Sequence, residues 1–338
     1  MKNTEINRDW FLKNQNYYKK LAEKVENIIS EILLEKEIEF HQVTYRCKTI
    51  DSFSKKIEKQ KYNSSEDITD IAGIRIICYV EDTIPQICEI IENNFEIDKD
   101  NSLDKGQQLG LDKVGYKSVH YVAKLPASRI NLTEYKKFKD LKFEIQIRTI
   151  LQHSWAEIEH DRNYKFGGEL PPKIQRRFKL LAGLLELADN EFNNISQEID
   201  KYSEEVKQKT DSGDLEIPIN STSLQQFMTQ YIESISNLFE IKDITKSSQI
   251  ILELKNYGIE TLKQLNDIIP ADLKEKYKKI NIQQTPLGTL RDIMIINDYK
   301  KYFENCYQND WNLSKNPTDS LIFIEYGLDI KEIEKYIY

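Results

Sequence analysis

The hydrophobic positions of this chain switch between two periods, and the switch marks out its elements. Leu21, Val25, Ile28, Ile29, Ile32 and Leu33 recur at helical spacing and predict a helix over 16–36. A strand over Val43–Lys48 follows, then a helix from about Asp51, read as its N-cap, to Lys61, and a loop at Asn63-Ser64-Ser65. Ile71–Val80 is β-branched and almost continuously apolar, the pattern of a strand buried on both faces. Pro85 opens a helix towards Asn94, and Phe95–Ile97 forms a short strand. The polar, glycine-containing stretch 98–115 is a long loop, a kind of segment that tends to serve function. Strands at Lys117–Leu125 and Lys142–Thr149 flank a lysine-rich connector. A helix over Ile150–Asn163 shows Leu151, Trp155 and Ile158 on one face, and Pro171-Pro172 starts a long helix reaching about Lys209.

The most telling strand is Phe143-Glu144-Ile145-Gln146-Ile147-Arg148-Thr149. Alternation sends Phe143, Ile145 and Ile147 to one face and Glu144, Gln146 and Arg148 to the other. The apolar face reads as core. An acid, an amide and a base in line on a rigid element suit a polar reaction site, although a solvated strand face has the same alternation.

Composition narrows the classes. The 338 residues allow two domains, and 39% hydrophobic content supplies a core. Asp211-Ser212-Gly213-Asp214 is the candidate linker, giving domains 1–210 and 215–338; helical patterns at Leu224–Phe239, Ser247–Tyr257 and Thr261–Ile268 make the second mostly α-helical. No apolar run approaches the roughly 18 residues of a membrane span, and MKNTEINRDW has no signal-peptide core. Cys47, Cys78, Cys88 and Cys306 are scattered, as in a reduced cytoplasm, where we expect the protein. A net charge of −8 argues against nonspecific nucleic-acid coating and against DNA as a partner. A local basic pocket is nevertheless visible in Arg46, Lys48, Lys55, Lys56 and Arg75.

Three further segments carry candidate chemistry. In Asp70-Ile71-Ala72-Gly73-Ile74-Arg75 an acid stands at the mouth of the buried strand, and Gly73 permits close approach. Asp70 reads either as a cap or, with Glu144 on a neighbouring strand, as a ligand for Mg²⁺ completed by substrate phosphates. Arg46, Lys48, Ser52, Lys55 and Lys56 put cations and a hydroxyl where a strand meets a helix N-terminus, which suits a triphosphate or a solvated charged face. Tyr116, leading into Lys117-Ser118-Val119-His120, reads as a stacking platform for a base or as packing. Two carboxylates, clustered cations and no Walker pattern point to metal-assisted nucleotidyl or pyrophosphoryl transfer.

Together these segments, with the helix Trp155-Ala156-Glu157-Ile158-Glu159-His160-Asp161, resemble the synthetase domain of RelA/SpoT-type alarmone synthetases over about residues 20–200. The resemblance implies an α/β fold: a mixed, about five-stranded sheet of nucleotidyltransferase type flanked by helices. It implies Mg²⁺-dependent transfer of pyrophosphate from ATP to the ribose 3′-OH of GDP or GTP. Arg46 and Arg75 would sandwich the adenine, and Lys48, Ser52, Lys55 and Lys56 would hold the ATP phosphates. Asp70 and Glu144 would hold the metal, Glu144 would activate the 3′-OH, and Gln146 and Arg148 would support it. Tyr116 would stack on the guanine, with Lys117, Ser118 and His120 lining the acceptor pocket.

The chain departs from the family at the approach Asp112-Lys113-Val114-Gly115-Tyr116 and at Lys117, where Arg is usual. The departure leaves the acceptor open between GDP or GTP and, as in toxin-like relatives, the 3′ end of tRNA. A nucleotide-sensing module without catalysis is the alternative of another class. The hydrolase half of bifunctional members needs a domain rich in His and Asp; with four histidines and none before His41, no hydrolase activity is expected. His153, Glu159 and His160 read as structural supports. The 172–209 helix is the expected contact of a homo-oligomer, and 215–338 a regulatory or interaction domain with an unidentified partner, or a packing appendage.

Overall fold

Fully buried Leu21, Val25, Ile29 and Leu33 recur at helical spacing along α1 (Lys2–Glu35). The helix begins well ahead of the predicted start because Phe11 is also fully buried, its ring 4.4 Å from that of Phe53. The structure, a computed structural model, describes residues 2–58, 68–104, 117–166, 170–233, 248–280, 284–308 and 317–337. Tyr116, the loop at 63–65 and much of the 98–115 stretch lie outside the described residues. The chain divides into two compact units, Met1–Gln197 and Glu198–Tyr338.

In the first unit β1 (Gln42–Cys47) leads to α2 (Ile50–Glu58). Its start is held by Thr49 rather than Asp51: the Thr49 hydroxyl accepts from the Ser52 backbone N–H, three residues on, while Asp51 sits inside the first turn. β2 (Ala72–Cys78) is buried except at Arg75 and is followed by α3 (Thr83–Asn94). The two-residue strands β3 (Glu96–Ile97) and β4 (Leu103–Asp104) come next, then β5 (Val119–Lys124), the short turn α4 (Ala127–Ile130) and β6 (Phe143–Thr149). α5 (Ile150–Phe166) leaves β6 without a break, and α6 (Pro172–Asp211) follows.

Among the described residues the strands form one mixed sheet of order β1-β2-β6-β5-β3, with β4 also paired to β5. The β2–β6 pair is parallel and the other pairings are antiparallel. The expected mixed α/β sheet is therefore present, with the two-residue β4 as an addition inside the predicted long loop. Ile74, Ile76, Ile145 and Ile147 fill one side of its centre, with Phe143 edge-on to Phe95.

The second unit has its own helical core. It contains α7 (Ser221–Glu233), α8 (Ser248–Asn256), α9 (Leu262–Asp267), α10 (Leu273–Ile280), α11 (Pro286–Asn305), α12 (Pro317–Glu325) and α13 (Ile330–Ile337). Leu254, Tyr257, Leu262, Leu290 and Met294 are among its buried residues. The boundary between units falls inside α6, ahead of the Asp211–Asp214 turn, because Val206 already belongs to this second core. All four cysteines are free thiols, and burial pushes Cys78 up to about 12.

Phe11 and Trp10 both stack on the Phe53 ring, at 4.4 and 6.4 Å. Phe53→Ala should cost roughly 3–5 kcal/mol of folding stability, as for other buried Phe truncations. Urea unfolding checks this, and a loss under about 1 kcal/mol would show that the N-terminal part of α1 does not depend on this contact.

Candidate active site

Strand register decides which side chains meet. Gly73 lies opposite Glu144 and Arg75 opposite Gln146 across the parallel pair, while His120 lies opposite Gln146 on the other side. Across β1, Arg46 faces Gly73 and Thr44 faces Arg75. Paired residues share a face, so Arg46, Arg75, Glu144, Gln146, Arg148 and His120 all project from one side of the sheet. A Cβ on Gly73 would come within 3.3 Å of Arg46 Nε, so glycine here lets the Arg46 side chain lie across the strand.

Two carboxylates anchor this face. Asp70, two residues ahead of β2, accepts from Lys48 Nζ at 2.9 Å and from Lys56 Nζ at 2.8 Å, both on Oδ2. Its other oxygen, Oδ1, is buried with no hydrogen-bond partner among the described residues. Burial raises the Asp70 carboxyl, but the Lys56 and Lys48 ammoniums outweigh it and hold the group below the usual carboxylate range. Glu144 behaves alike. Burial pushes it up, and the His120 hydrogen bond and charge, with the Gln146 amide, bring it below its ordinary value against a small opposing push from Asp70.

The contacts of Glu144 form a chain. His120 Nδ1 lies 2.6 Å from Glu144 Oε1, and Gln146 Nε2 donates to the same oxygen at 3.2 Å. The Arg148 guanidinium donates to Gln146 Oε1, and Ser118 Oγ lies 2.6 Å from His120 Nε2. Arg148 is only 3% exposed, so it reaches Glu144 through the Gln146 amide and not across open space.

The structure places the remaining candidates differently. Arg75 pairs with Glu157 of α5 at 2.9 Å, and its Nε is buried without a partner among the described residues. Ser52 is exposed at the start of α2, where its hydroxyl accepts from Thr49 Oγ1 at 3.0 Å. Lys55 is exposed one position from the Lys56 that reaches Asp70. Lys117 pairs with Glu186 of α6 at 2.8 Å and with Glu81 at 3.5 Å. Ser118 is 3% exposed, with its hydroxyl turned to His120. His153, on α5, is kept below its ordinary value by burial first and then by Arg148. Glu157 is not legible as a site residue in the sequence; its one signal is its position on the helix that leaves β6 directly.

No group of three or more His, Cys, Asp or Glu among the described residues is placed to hold a metal ion. Asp70 and Glu144 still fit a hard cation, since the bare buried Oδ1 wants a positive partner and phosphate oxygens can complete the shell.

Comparison with known proteins bears on this face. A profile for the "Region found in RelA / SpoT proteins" matches residues 45–169, the stretch that holds Arg46, Asp70, His120 and Glu144. The GTP pyrophosphokinase YjbM of Bacillus subtilis (strain 168) is 31% identical over 167 residues, covering 48% of this chain and 74% of that protein. The chain belongs to the RelA/SpoT family of GTP pyrophosphokinases. A second member, YwaC of the same organism, is 31% identical over 135 residues, 40% of this chain and 61% of its own. The crystal structure of the small alarmone synthetase 1 from Bacillus subtilis superposes with a TM-score of 0.49 at 27% identity, covering 57% of this chain and 99% of that one. The C-terminal unit lies beyond the family match, which ends at residue 169.

The two lowered carboxyls of this RelA/SpoT site each contribute a pH-dependent part of the stability. A depressed carboxyl stabilises fully above its unfolded value, about pH 4, and that stabilisation disappears as pH falls through the lowered native value. Asp70→Asn should therefore be less stable than the natural chain at neutral pH, with a gap that closes on acidification. Urea midpoints measured from about pH 7 to pH 3 test the sign, since a gap that widens in acid contradicts it.

Proposed function

We propose that the chain transfers pyrophosphate from ATP to the ribose 3′-OH of GDP or GTP, releasing AMP and giving (p)ppGpp, and does not hydrolyse the product. The observation that carries this reading is a carboxylate, Glu144, held ionised and in fixed orientation by His120 and Gln146 on the same face as the Asp70–Lys48–Lys56 cluster. A ribose hydroxyl is a weak nucleophile and needs a base or orienter at bonding distance. Two donors occupy Glu144 Oε1, so Oε2 is the oxygen that meets the 3′-OH in this reading. The 3′-oxygen attacks the β-phosphorus as its proton passes to Glu144. The bond between the β-phosphorus and the oxygen bridging to the α-phosphate breaks, and AMP leaves with that oxygen.

Lys48 and Lys56 bring two positive charges against the single charge of Asp70, so the cluster keeps a surplus for phosphate. Arg46 over Gly73, with Arg75 two residues along the same face, suits an adenine held between guanidinium planes. Arg75 is braced by Glu157 for that task. Ser52 stands in the first turn of α2, a favourable place for phosphate, and Lys55 adds a cation in its last turn beside Lys56. Mg²⁺ bound by Asp70 and Glu144 would supply charge to the phosphate oxygens. Gln146 and Arg148 support Glu144. His120 faces the acceptor, with Tyr116 as the base platform. Lys117 serves the acceptor strand from its ion pairs.

No helix among the described residues is long and apolar enough to cross a membrane. α6 exposes Leu180, Leu181, Leu184, Leu187, Phe192 and Ile195, and we read this stripe as the contact of a homo-oligomer. Light scattering of the full chain should show an assembly, and Leu184→Glu should reduce it to the monomer; an unchanged mass removes the stripe from the interface. The C-terminal unit, with a core of its own, is read as a regulatory or partner-binding module.

The decisive assay supplies Mg²⁺ and ATP labelled in its β and γ phosphates, with GDP, GTP or deacylated tRNA as acceptor. Label on GDP or GTP is the expected result. Label on tRNA alone would replace the acceptor with that of a toxin-like relative, and binding without transfer would make the chain a nucleotide sensor. Glu144→Gln should lower turnover at least a hundredfold, the usual size of a lost general base, while ATP binding by calorimetry stays within about threefold. Near-normal turnover in that variant would remove Glu144 from its role.

A further inference from the structure

The acceptor end of the site holds a line of three side chains joined by short contacts, of which the reaction as proposed uses the two at one end. Ser118 Oγ, His120 Nε2, His120 Nδ1 and Glu144 Oε1 are joined by two contacts of 2.6 Å. Ser118 stands one residue ahead of β5, and strand alternation puts it on the same face as His120 two residues later. His120 and Glu144 are diagonal neighbours across the β5–β6 ladder, since His120 faces Gln146 and Val122 faces Glu144.

The order hydroxyl, imidazole, carboxylate is also that of a serine nucleophile with its base and orienter. Exposure decides against that reading here. Ser118 is 3% exposed, whereas Glu144 and His120 keep 15% and 14% of their side-chain surface, so the carboxylate end of the line faces the open side. The hydroxyl is the buried end, and its role must be exerted through the ring.

An ionised carboxylate only accepts, so His120 Nδ1 is the donor to Glu144. A histidine ring turns about its χ2 angle between broad orientations unless its second nitrogen is also engaged. The hydroxyl of Ser118 engages it, and a hydroxyl can donate or accept as the ring requires. We propose that Ser118 is a positioning residue for pyrophosphate transfer: its buried hydroxyl fixes the His120 ring, and the ring fixes the carboxylate of Glu144 against the acceptor 3′-OH. Ser118 thus acts on the rate of the chemical step without touching either nucleotide. The inference rests on the transfer reaction proposed above, and its test separates the two.

Ser118→Ala and Ser118→Thr would be made in the full chain and assayed with Mg²⁺, ATP and the acceptor that the natural chain uses. Ser118→Ala should lower kcat about tenfold, the effect of one lost orienting hydrogen bond, with KM for ATP and for the acceptor within about twofold. Ser118→Thr, which keeps the hydroxyl, should recover most of that loss. A raised acceptor KM at unchanged kcat would make Ser118 a binding contact and overturn the proposal, as would unaltered kinetics. Loss of the thermal midpoint together with activity, unrelieved in Ser118→Thr, would assign the hydroxyl to packing and overturn it too.

A second measurement needs no turnover. In ¹⁵N-histidine spectra the His120 Nδ1–H signal should be protected from solvent exchange in the natural chain and in Ser118→Thr, and broadened in Ser118→Ala. Its persistence in Ser118→Ala overturns the lock whatever the enzyme transfers. A natural chain that shows the lock but labels no acceptor would instead overturn the reaction.

Discussion

The parallel pairing of β2 with β6 in one register is the constraint on which the site depends. Gly73 opposite Glu144 and Arg75 opposite Gln146 bring the Arg75 guanidinium and the Glu144 carboxylate onto one face. The side-chain period of a strand is two, so a slip of one residue would send Glu144 into the isoleucine core and Ile145 to the polar face. Burial prevents that slip. Ile74, Ile76, Ile145 and Ile147 are all fully buried, and a shifted register would expose them while burying charge. Hydrophobic packing on one side of the sheet therefore sets the geometry of the polar side.

Charge on that polar side is organised around its two carboxylates. Asp70 is outnumbered by Lys48 and Lys56, which hold its carboxyl below the usual range and leave the cluster with a surplus of positive charge. Glu144 sits in a line running from Arg148 through Gln146 to the carboxylate, and on through His120 to Ser118. Each bond in that line restricts the next, so a carboxylate burdened by burial remains charged and keeps one orientation. Preorganisation of this kind lowers the rearrangement needed when charge develops beside the carboxylate.

The C-terminal unit follows a different logic. Its core buries an ion pair in which Arg291 donates to both oxygens of Glu253, at 3.0 and 2.5 Å, with the Tyr302 hydroxyl donating to the same group at 2.9 Å. Tyr277 and Gln284 both donate to Asp292 at 2.7 Å. Buried charges satisfied this fully add little net stability over apolar packing, but removing one partner is costly, so they restrict how the helices can pack. These polar bonds join groups within a separately cored unit.

Much of this protein was legible before any coordinates. Alternation along Phe143–Thr149 assigned its two faces, the β-branched run at 71–80 marked the buried strand, and the clustered Arg, Lys, Asp and Glu pointed to phosphate chemistry. Local periodicity carries that information because it records which side of each element must leave water. What the pattern could not carry was pairing at a distance. Lys48 and Lys56 share Asp70, Arg75 takes Glu157, and Lys117 turns to Glu186, each choice made by elements far apart in the chain. The early start of α1 needed Phe53 to bury Phe11, and the role of Thr49 depended on its backbone geometry ahead of α2. The sequence by itself determined which residues could do chemistry and on which strand face they stand. Only the tertiary structure decided which of them meet, because a hydrogen bond of 2.6 Å between Glu144 and His120 depends on the register of strands whose order no local period encodes.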